Sequence, residues 1–291
     1  MRIRSSLASQ GSLAATRGVG EPRERRALGE VLDLSPSQQD AVVQRQAETG
    51  HLFGETAVEL GFVTSDQVHR AIKQQQGFSV LDDGDSRLDP LIVTAFDPGD
   101  VLARIARNLR STLTAAVRPN GQPVRSVALI GQDTSAELPI LVANLAVACA
   151  QTGSPTLLVD ANLDHPHQHA LFRVRNRTGV ATMLASNATG GLIQQSAIGG
   201  LSLLTTGPAV PNASELFDRQ RLANTIEMLS EDFDLVLVDA GCEATALAAA
   251  KGLDAAIIVL RRNVSLTRGT RVLVEQLETT GQVVLGTVLV D

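Results

Sequence analysis

The chain has 291 residues, of which 44% are apolar and 2% aromatic, and its formal net charge is −6. This length suits about two domains, and the apolar content can supply a sizeable core. An acidic chain with few aromatic rings has neither the basic field nor the stacking surface of a nucleic-acid-binding protein. The sequence has no apolar run of about 18 residues and no apolar centre near its start, so we expect a cytoplasmic protein without a membrane span.

Residues 1–24 are rich in Arg, Ser, Ala and Gly and carry almost no apolar pattern. This composition is typical of a disordered tail. The arginines of the tail could contact anionic lipid, but a solvated tail is the more ordinary interpretation.

Residues 25–76 contain a sequence repeat. In each half a Gly-Glu pair is followed by a Ser or Thr, and then by a helix-like run ending in Gln. Ser35 and Thr64 are natural N-caps. The repeat therefore predicts a small helical domain in which each half is a short helix, a turn and a longer helix.

The repeat resembles the N-terminal domain of the type II secretion and pilus ATPases. The tandem Leu-Gly motifs of that domain match Leu28-Gly29 and Phe53-Gly54, with Phe53 in place of a leucine and a first half that is shorter by two or three residues. Some members bind cyclic di-GMP through these motifs, so the resemblance implies a cyclic di-GMP site at Leu28, Gly29, Phe53 and Gly54. The alternative is a packing module that docks a partner protein.

Residues 77–100 are acidic and interrupted by Gly and Pro, which predicts a linker. From residue 101 to residue 291 helix-like stretches alternate with short, almost entirely apolar strands. Such strands are typical of a parallel sheet covered on both faces. We therefore predict a doubly wound, mostly parallel α/β domain, preceded by the small helical domain.

The sequence around the predicted strand ends resembles that of the bacterial tyrosine autokinases of exopolysaccharide and capsule synthesis, which are P-loop NTPase-like proteins. Asn144, the stretch 159–161, the run 207–216 and the strand that contains Asp239 occur in the order and spacing of that family. The resemblance covers about residues 97–291. The preceding repeat also resembles the extra N-terminal domain of the exosortase-linked subgroup.

The phosphate loop of that family, Gly-Glu-Gly-Lys-Ser-Thr, falls on residues 135–140, which here are Ser-Ala-Glu-Leu-Pro-Ile. A working loop needs glycines to close around phosphate, a lysine for the outer phosphates and a hydroxyl for magnesium. None of these is at its position. Pro139 removes a backbone donor but suits the first turn of a helix. We hypothesise that Glu137, near the helix N-terminus, partly replaces the missing anion.

A second motif of the family, Asp-x-Asp-x-Arg, becomes Asp160, Asn162 and Asp164, and Asp239 keeps its place on a later strand. The resemblance implies that Asp160, Asn162 and Asp239 are a remnant nucleotide and magnesium site. An isolated Asp at a strand end is as often a helix cap as a metal ligand. His165, His167 and His169 follow, but a turn entering a helix would spread them, which favours a solvated surface over a metal site.

Two further departures concern assembly and the substrate of the autokinases. Those proteins phosphorylate their own tyrosines, and this sequence contains none. They form rings through a Glu-x-x-Arg-x-x-Arg helix, of which this chain keeps Arg104, Arg107 and Arg110 without the acid. A mixed assembly with an intact paralogous kinase is therefore easier to imagine than a ring of identical copies.

Together these features predict a catalytically inactive kinase relative that acts as a scaffold or regulator in exopolysaccharide or capsule synthesis and export. Its implied partner is a chain-length determinant protein of the inner membrane, through which it would lie at the inner face of that membrane. No cofactor is expected, and cyclic di-GMP is the alternative ligand, at the N-terminal repeat. The alternative is an active, ATP- and magnesium-binding tyrosine kinase or ATPase with a non-standard phosphate loop.

Overall fold

The computed structural model describes residue 29, residues 32–71 except 66, 69 and 70, and residues 81–290 except 83, 136, 187–189, 211–212 and 218–220. The chain divides into two compact units, residues 1–80 and residues 81–291. The tail predicted for residues 1–24 lies outside the described residues, and so does Leu28 of the first Leu-Gly motif.

The first unit contains the same N-capping arrangement twice, once in each half of the repeat. Its helices include α1 (Pro36–Thr49) and α2 (Phe53–Glu59). Ser35 caps α1, and the Ser35 N–H donates to Gln38 Oε1 at 2.9 Å. In the second half the Thr64 N–H donates to Gln67 Oε1 at 2.8 Å. The two N-caps predicted from the sequence therefore form the same reciprocal contact, a capping box.

Both glycines of the Leu-Gly pattern lie where a side chain would not fit. A Cβ atom on Gly29 would lie 2.7 Å from the side chain of Gln39, and one on Gly54 would lie 2.4 Å from Val68 Cγ1. Gly54 and Val68 are both buried, and Val68 belongs to the small apolar core of this unit. Each glycine thus allows close packing between segments of the repeat.

Replacing Gly54 by alanine should destabilise the first unit by about 1–3 kcal/mol, because the new methyl group overlaps Val68 in a packed core. Hydrogen exchange of α2 amides measures this locally. Gly199→Ala is the matched control, since a Cβ there has no neighbour within 4 Å. Equal α2 exchange in the two variants would contradict the packing role.

The second unit is built on one seven-stranded sheet. In chain order its strands are β1 (Ser126–Gly131), β2 (Thr156–Asp160), β3 (Gln194–Gln195), β4 (Leu201–Leu204), β5 (Leu235–Cys242), β6 (Ala255–Arg261) and β7 (Val283–Val290). Their spatial order is β3-β4-β2-β5-β1-β6-β7. All neighbours pair in parallel except β3 and β4. The mostly parallel α/β fold predicted from the sequence is confirmed.

Helices cover both faces of this sheet. They are α3 (Val101–Ala115), α4 (Glu137–Ala150), α5 (Gln168–Leu171), α6 (Val180–Ser186), α7 (Ala213–Leu216), α8 (Arg221–Leu229), α9 (Glu243–Ala250) and α10 (Thr267–Thr279). Two apolar cores result, one on each face, and alternate residues of β1 enter opposite cores. Within the described part of the chain, no helix has the length and apolar character needed to cross a bilayer.

The linker predicted for residues 77–100 is not a linker over most of its length, because residues 81–100 belong to the second unit. Leu88 and Ile92 are buried in the core beside α4. Asn144 of α4 accepts a hydrogen bond from the Thr94 N–H at 2.9 Å and donates one to the Leu91 carbonyl at 2.9 Å. The Gly and Pro residues of this segment shape turns on the α/β unit.

Candidate functional site

The carboxyl ends of β2 and β5 bring together two acidic residues from distant parts of the sequence. Asp160 ends β2, and it is paired in register with Asp239 of β5. Both side chains are fully buried. Directly after Asp239, Ala240 is skipped in the pairing of β5 with β1, which is a β-bulge of the kind often found beside functional sites.

Three backbone N–H groups hold the carboxylate of Asp160. Asn162 donates to Oδ1 at 3.3 Å, and His167 and Gln168 donate to Oδ2 at 3.2 and 3.0 Å. His167 and Gln168 lie at the start of α5. Asp160 therefore fixes the loop that follows β2 and the beginning of the next helix.

The side chain of Gln168 connects Asp239 to the start of α4. Its Nε2 donates to Asp239 Oδ2 at 2.7 Å and to the Pro139 carbonyl at 3.0 Å. The Gly241 N–H donates to the other oxygen, Asp239 Oδ1, at 3.2 Å. Gln168 is fully buried, and its Oε1 has no hydrogen-bond partner among the described atoms. A neutral amide thus lies between the acidic strand end and the helix that follows β1.

Burial sets the protonation of the acidic pair. Burial, with the nearby charge of Asp239, raises the pKa of Asp160 to about 8. Burial raises the pKa of Asp239 as well, although the hydrogen bonds from Gln168 and Gly241 act in the opposite direction. Among the described residues neither carboxylate forms an ion pair. The pair therefore keeps a proton at neutral pH.

The loop between β1 and α4 is held by the start of α10. Gln132 Nε2 donates to the Leu266 carbonyl at 2.9 Å, and the Ser265 hydroxyl donates to Asp133 Oδ2 at 2.8 Å. Gly269 permits the first contact, because a Cβ there would lie 2.1 Å from Gln132 Nε2. Side chains of the chain itself therefore fix the loop between β1 and α4.

The first residues of α4 are not those of an anion site. Leu138 and Pro139 are buried. Glu137 begins this 14-residue helix, and its Oε2 is buried without a hydrogen-bond partner among the described residues. A helix N-terminus stabilises negative charge. This position supports the hypothesis that Glu137 partly replaces an anion.

The side chain of Asn162 forms a hydrogen bond within the loop that follows β2. Its Oδ1 accepts a hydrogen bond from the His165 N–H at 3.1 Å. A Cβ on Gly241 would lie 2.6 Å from the Asn162 Cγ, and Gly241 has a φ of 72°. Both the left-handed backbone and the contact with Asn162 therefore require glycine directly after the bulge.

The described residues do not fit a magnesium–nucleotide complex bound as in an intact phosphate loop. Leu138 and Pro139 provide neither an ammonium group nor a hydroxyl, and they are buried. The carboxylate of Asp239 already accepts hydrogen bonds from Gln168 and Gly241. A cation at Asp239 Oδ2 would compete with the Gln168 amide for that oxygen.

The structure brings together two of the three residues predicted as a remnant nucleotide site, Asp160 and Asp239, and places Asn162 beside them in the loop. Their role in binding a nucleotide stays a prediction. Gln168 was missed, because nothing in the stretch "HPHQHALF" marks its side chain for a contact with another strand.

The structure describes three of the four residues predicted to bind cyclic di-GMP. Gly29 and Gly54 are buried, Phe53 is half-buried at the start of α2, and Leu28 lies outside the described residues. Cyclic di-GMP binding stays a prediction.

Two of the three arginines on α3 contact backbone carbonyls of the same unit. Arg110 Nη1 donates to the Ala148 carbonyl at 3.0 Å, near the end of α4, and Arg107 donates to the Pro98 carbonyl. Arg104 is exposed. Arg107 and Arg110 therefore help to hold α3 in place, and the expectation about ring assembly stays a prediction.

The two thiols differ in environment. Cys149 is buried in α4, and burial raises its pKa to about 12. Cys242 is half-buried at the end of β5, with its Sγ 3.3 Å from the Thr134 hydroxyl. Cys242 therefore lies beside the loop between β1 and α4.

A mostly parallel sheet, helices on both faces and acidic strand ends beside a strand–loop–helix unit define a protein of the P-loop NTPase fold. No protein-family model matches the chain. The septum site-determining protein MinD of Pyrococcus horikoshii, solved with Mg-ADP, shares the fold with a TM-score of 0.51 and 21% identity, over 57% of this chain and 70% of MinD.

Closer similarity is found to bacterial tyrosine kinases. The chimerical protein CapA2B2 has a TM-score of 0.62 and 28% identity, over 76% of this chain and 97% of that structure. Tyrosine-protein kinase etk of Escherichia coli K12 is 26% identical over 197 residues, which are 66% of this chain and 27% of etk. Tyrosine-protein kinase wzc of Salmonella typhi is 30% identical over 144 residues, 49% of this chain and 20% of wzc.

The homologues of this chain are thus bacterial tyrosine-protein kinases, which confirms the resemblance inferred from the sequence. The kinase domain of E. coli ETK has the same fold, with a TM-score of 0.64 over 74% of this chain and 91% of that domain at 23% identity. The matches to etk and wzc cover only 27% and 20% of those proteins.

Proposed function

We propose that this chain is a catalytically inactive relative of the bacterial tyrosine kinases that acts as a scaffold or regulator in exopolysaccharide or capsule synthesis and export. The observation that carries the proposal is the buried Gln168 amide, which bonds Asp239 and the Pro139 carbonyl at the start of α4. In this proposal the Gln168 amide, and not a metal ion, compensates the buried Asp239 carboxylate.

Three further features support the absence of phosphoryl transfer. Leu138 is the residue at the position of the phosphate-binding lysine, and it is buried. The loop before it is fixed to α10 through Gln132 and Asp133. The sequence contains no tyrosine, so the chain is not its own tyrosine substrate. Phosphoryl transfer depends on positive charge positioned around the phosphates, and neither Leu138 nor Pro139 carries a charge.

The polysaccharide pathway and the partners in this proposal come from the resemblance to the autokinases. The partner we propose is a chain-length determinant protein of the inner membrane, which would hold the chain at the inner face of that membrane. An intact paralogous kinase is a further partner of the same proposal. In both cases the chain supplies a surface and not a reaction.

One observation favours the alternative, an active ATP-binding kinase or ATPase. Asp160 and Asp239 keep their strand-end positions, and burial raises the pKa of both. Perturbed carboxyl groups of this kind are common at functional sites. Asp160 and Asp239 would then hold magnesium after the Gln168 side chain had moved.

Calorimetric titration of the full chain with ATP and with ADP in magnesium distinguishes the two functions. We expect no binding tighter than about 1 mM, which corresponds to about 4 kcal/mol. The kinase domain of E. coli ETK is the positive control. Micromolar ATP binding that disappears in Asp239→Asn would overturn the proposal in favour of the active kinase.

The same titration with cyclic di-GMP tests the first unit. The close packing of Gly29 and Gly54 favours a docking module, because both glycines already have a structural role. Binding of cyclic di-GMP that is lost when the exposed Leu52 is replaced by serine, with the fold unchanged, would instead assign a ligand site to this repeat.

A further inference from the structure

Residues 261–272 form a basic and apolar segment where β6 ends and α10 begins, which we call the basic tip. The segment contains four arginines and no acidic residue, although the whole chain has a net charge of −6. The arginines are Arg261, Arg262, Arg268 and Arg271. The last three are exposed. The basic tip is therefore a locally positive segment of an acidic protein.

Large apolar side chains are exposed among these arginines. Leu266 is 71% exposed, and Val264 and Val272 are each 46% exposed. On α10, Arg268, Arg271 and Val272 follow the i, i+3, i+4 spacing that places side chains on one helix face. The basic tip thus presents cationic and apolar side chains on the same surface.

The charges of the tip are only partly compensated within the fold. Asp133 pairs with Arg261 at 3.8 Å, and Glu275 and Glu278 line the groove that also contains Arg271. Among the described residues no ion pair of Arg268 or Arg271 is found. Arg268 also lies in the first turn of α10, where the helix dipole disfavours a cation. This placement costs stability in the isolated protein.

We propose that the basic tip binds directly to the surface of an anionic lipid bilayer. Arginines next to exposed apolar side chains are the combination that binds such a surface, since the cations attract anionic headgroups and the apolar groups enter the interface. An acidic protein would satisfy the arginines but would leave Leu266 and Val264 without an apolar environment. The proposal does not depend on the proposed function, in which a partner protein provides the membrane association.

Flotation of the full chain with phosphatidylcholine vesicles, with and without phosphatidylglycerol, tests this proposal. We expect binding only when phosphatidylglycerol is present. The double variant Arg268→Glu and Arg271→Glu should bind at least about tenfold more weakly, because each cation contributes to attraction at the surface. Leu266→Ser should bind at least about threefold more weakly, because it loses the apolar contact with the interface.

Matched controls separate the tip from general charge and hydrophobicity. Arg175→Glu with Arg177→Glu makes the same charge change at two exposed arginines outside the tip. Leu52→Ser removes a leucine that is also 71% exposed. Both controls should bind like the unchanged chain, and circular dichroism checks that each variant folds.

Three outcomes would overturn the proposal. The first is the absence of binding to phosphatidylglycerol vesicles, which would leave an acidic protein as the partner of the arginines. The second is an equal loss in the Arg175 and Arg177 control, which would indicate attraction by overall charge. The third is unchanged binding of Leu266→Ser, which would indicate a polyanion site without insertion into the interface.

Discussion

Replacing Asp160 by asparagine should raise the free energy of unfolding at pH 8 and flatten its dependence on pH. The buried Asp160 carboxyl has a pKa raised to about 8 by burial and by the charge of Asp239. Asparagine keeps an oxygen that accepts the His167 and Gln168 N–H groups, and it removes the ionisable group. The variant therefore avoids the cost of burying a second negative charge.

The sign of the effect follows from proton binding. An unfolded chain loses this proton near pH 4, whereas the folded chain keeps it up to about pH 8. Between these values the folded state binds more protons, so the free energy of unfolding falls as the pH rises, by at most about 1.4 kcal/mol per pH unit. The favourable contribution is complete below about pH 4 and is lost as the pH passes about 8.

Urea unfolding of the second unit at several pH values between 5 and 8 measures this slope. Circular dichroism is the suitable signal, because the sequence contains no tryptophan and no tyrosine. Asp164→Asn is the matched control, since Asp164 is an exposed carboxylate in the same loop. A slope that is the same in Asp160→Asn and in the unchanged chain would show that Asp160 is ionised when folded.

The second large effect is expected at Gln168. Gln168→Ala removes the donor to Asp239 and to the Pro139 carbonyl, both in the protein interior. Leaving two buried acceptors without a donor should cost about 2–4 kcal/mol of unfolding free energy. Gln168→Glu should cost more, because a third carboxyl group would face the buried acidic pair.

Gln194 offers a matched control for this prediction. Its side chain also makes two hydrogen bonds, both to the backbone of Arg175, but it lies on the edge strand β3 and is partly exposed. Water can replace these bonds, so Gln194→Ala should cost less than about 1 kcal/mol. Similar losses in Gln194→Ala and Gln168→Ala, measured by urea unfolding, would show that the Gln168 amide has no special role.

The sequence predicts those parts of the fold that depend on local pattern. The apolar strands that contain Asp160 and Asp239 follow from runs of buried residues, and the caps at Ser35 and Thr64 follow from short-range hydrogen bonds. The sequence does not reveal that residues 81–100 belong to the second unit, because Gly, Pro and Asp in this stretch obscure the few apolar residues that enter the core.

The candidate site was predicted in part for a similar reason. Parallel strands bring Asp160 and Asp239 to one edge of the sheet whatever the loops contain. The contact between Gln168 and Asp239 joins residues 71 positions apart and depends on how the chain turns after β2. No periodicity or spacing in the sequence predicts such a long-range polar contact, so it can be found only from the three-dimensional structure.

The unequal environments of the two cysteines make the chain suited to labelling at one site without any mutation. Cys149 is buried, and burial raises its pKa to about 12, so a maleimide should react with it very slowly. Cys242 is half-buried, with its Sγ 3.3 Å from the Thr134 hydroxyl. A fluorophore attached there would report whether nucleotides, membranes or partner proteins move the loop between β1 and α4.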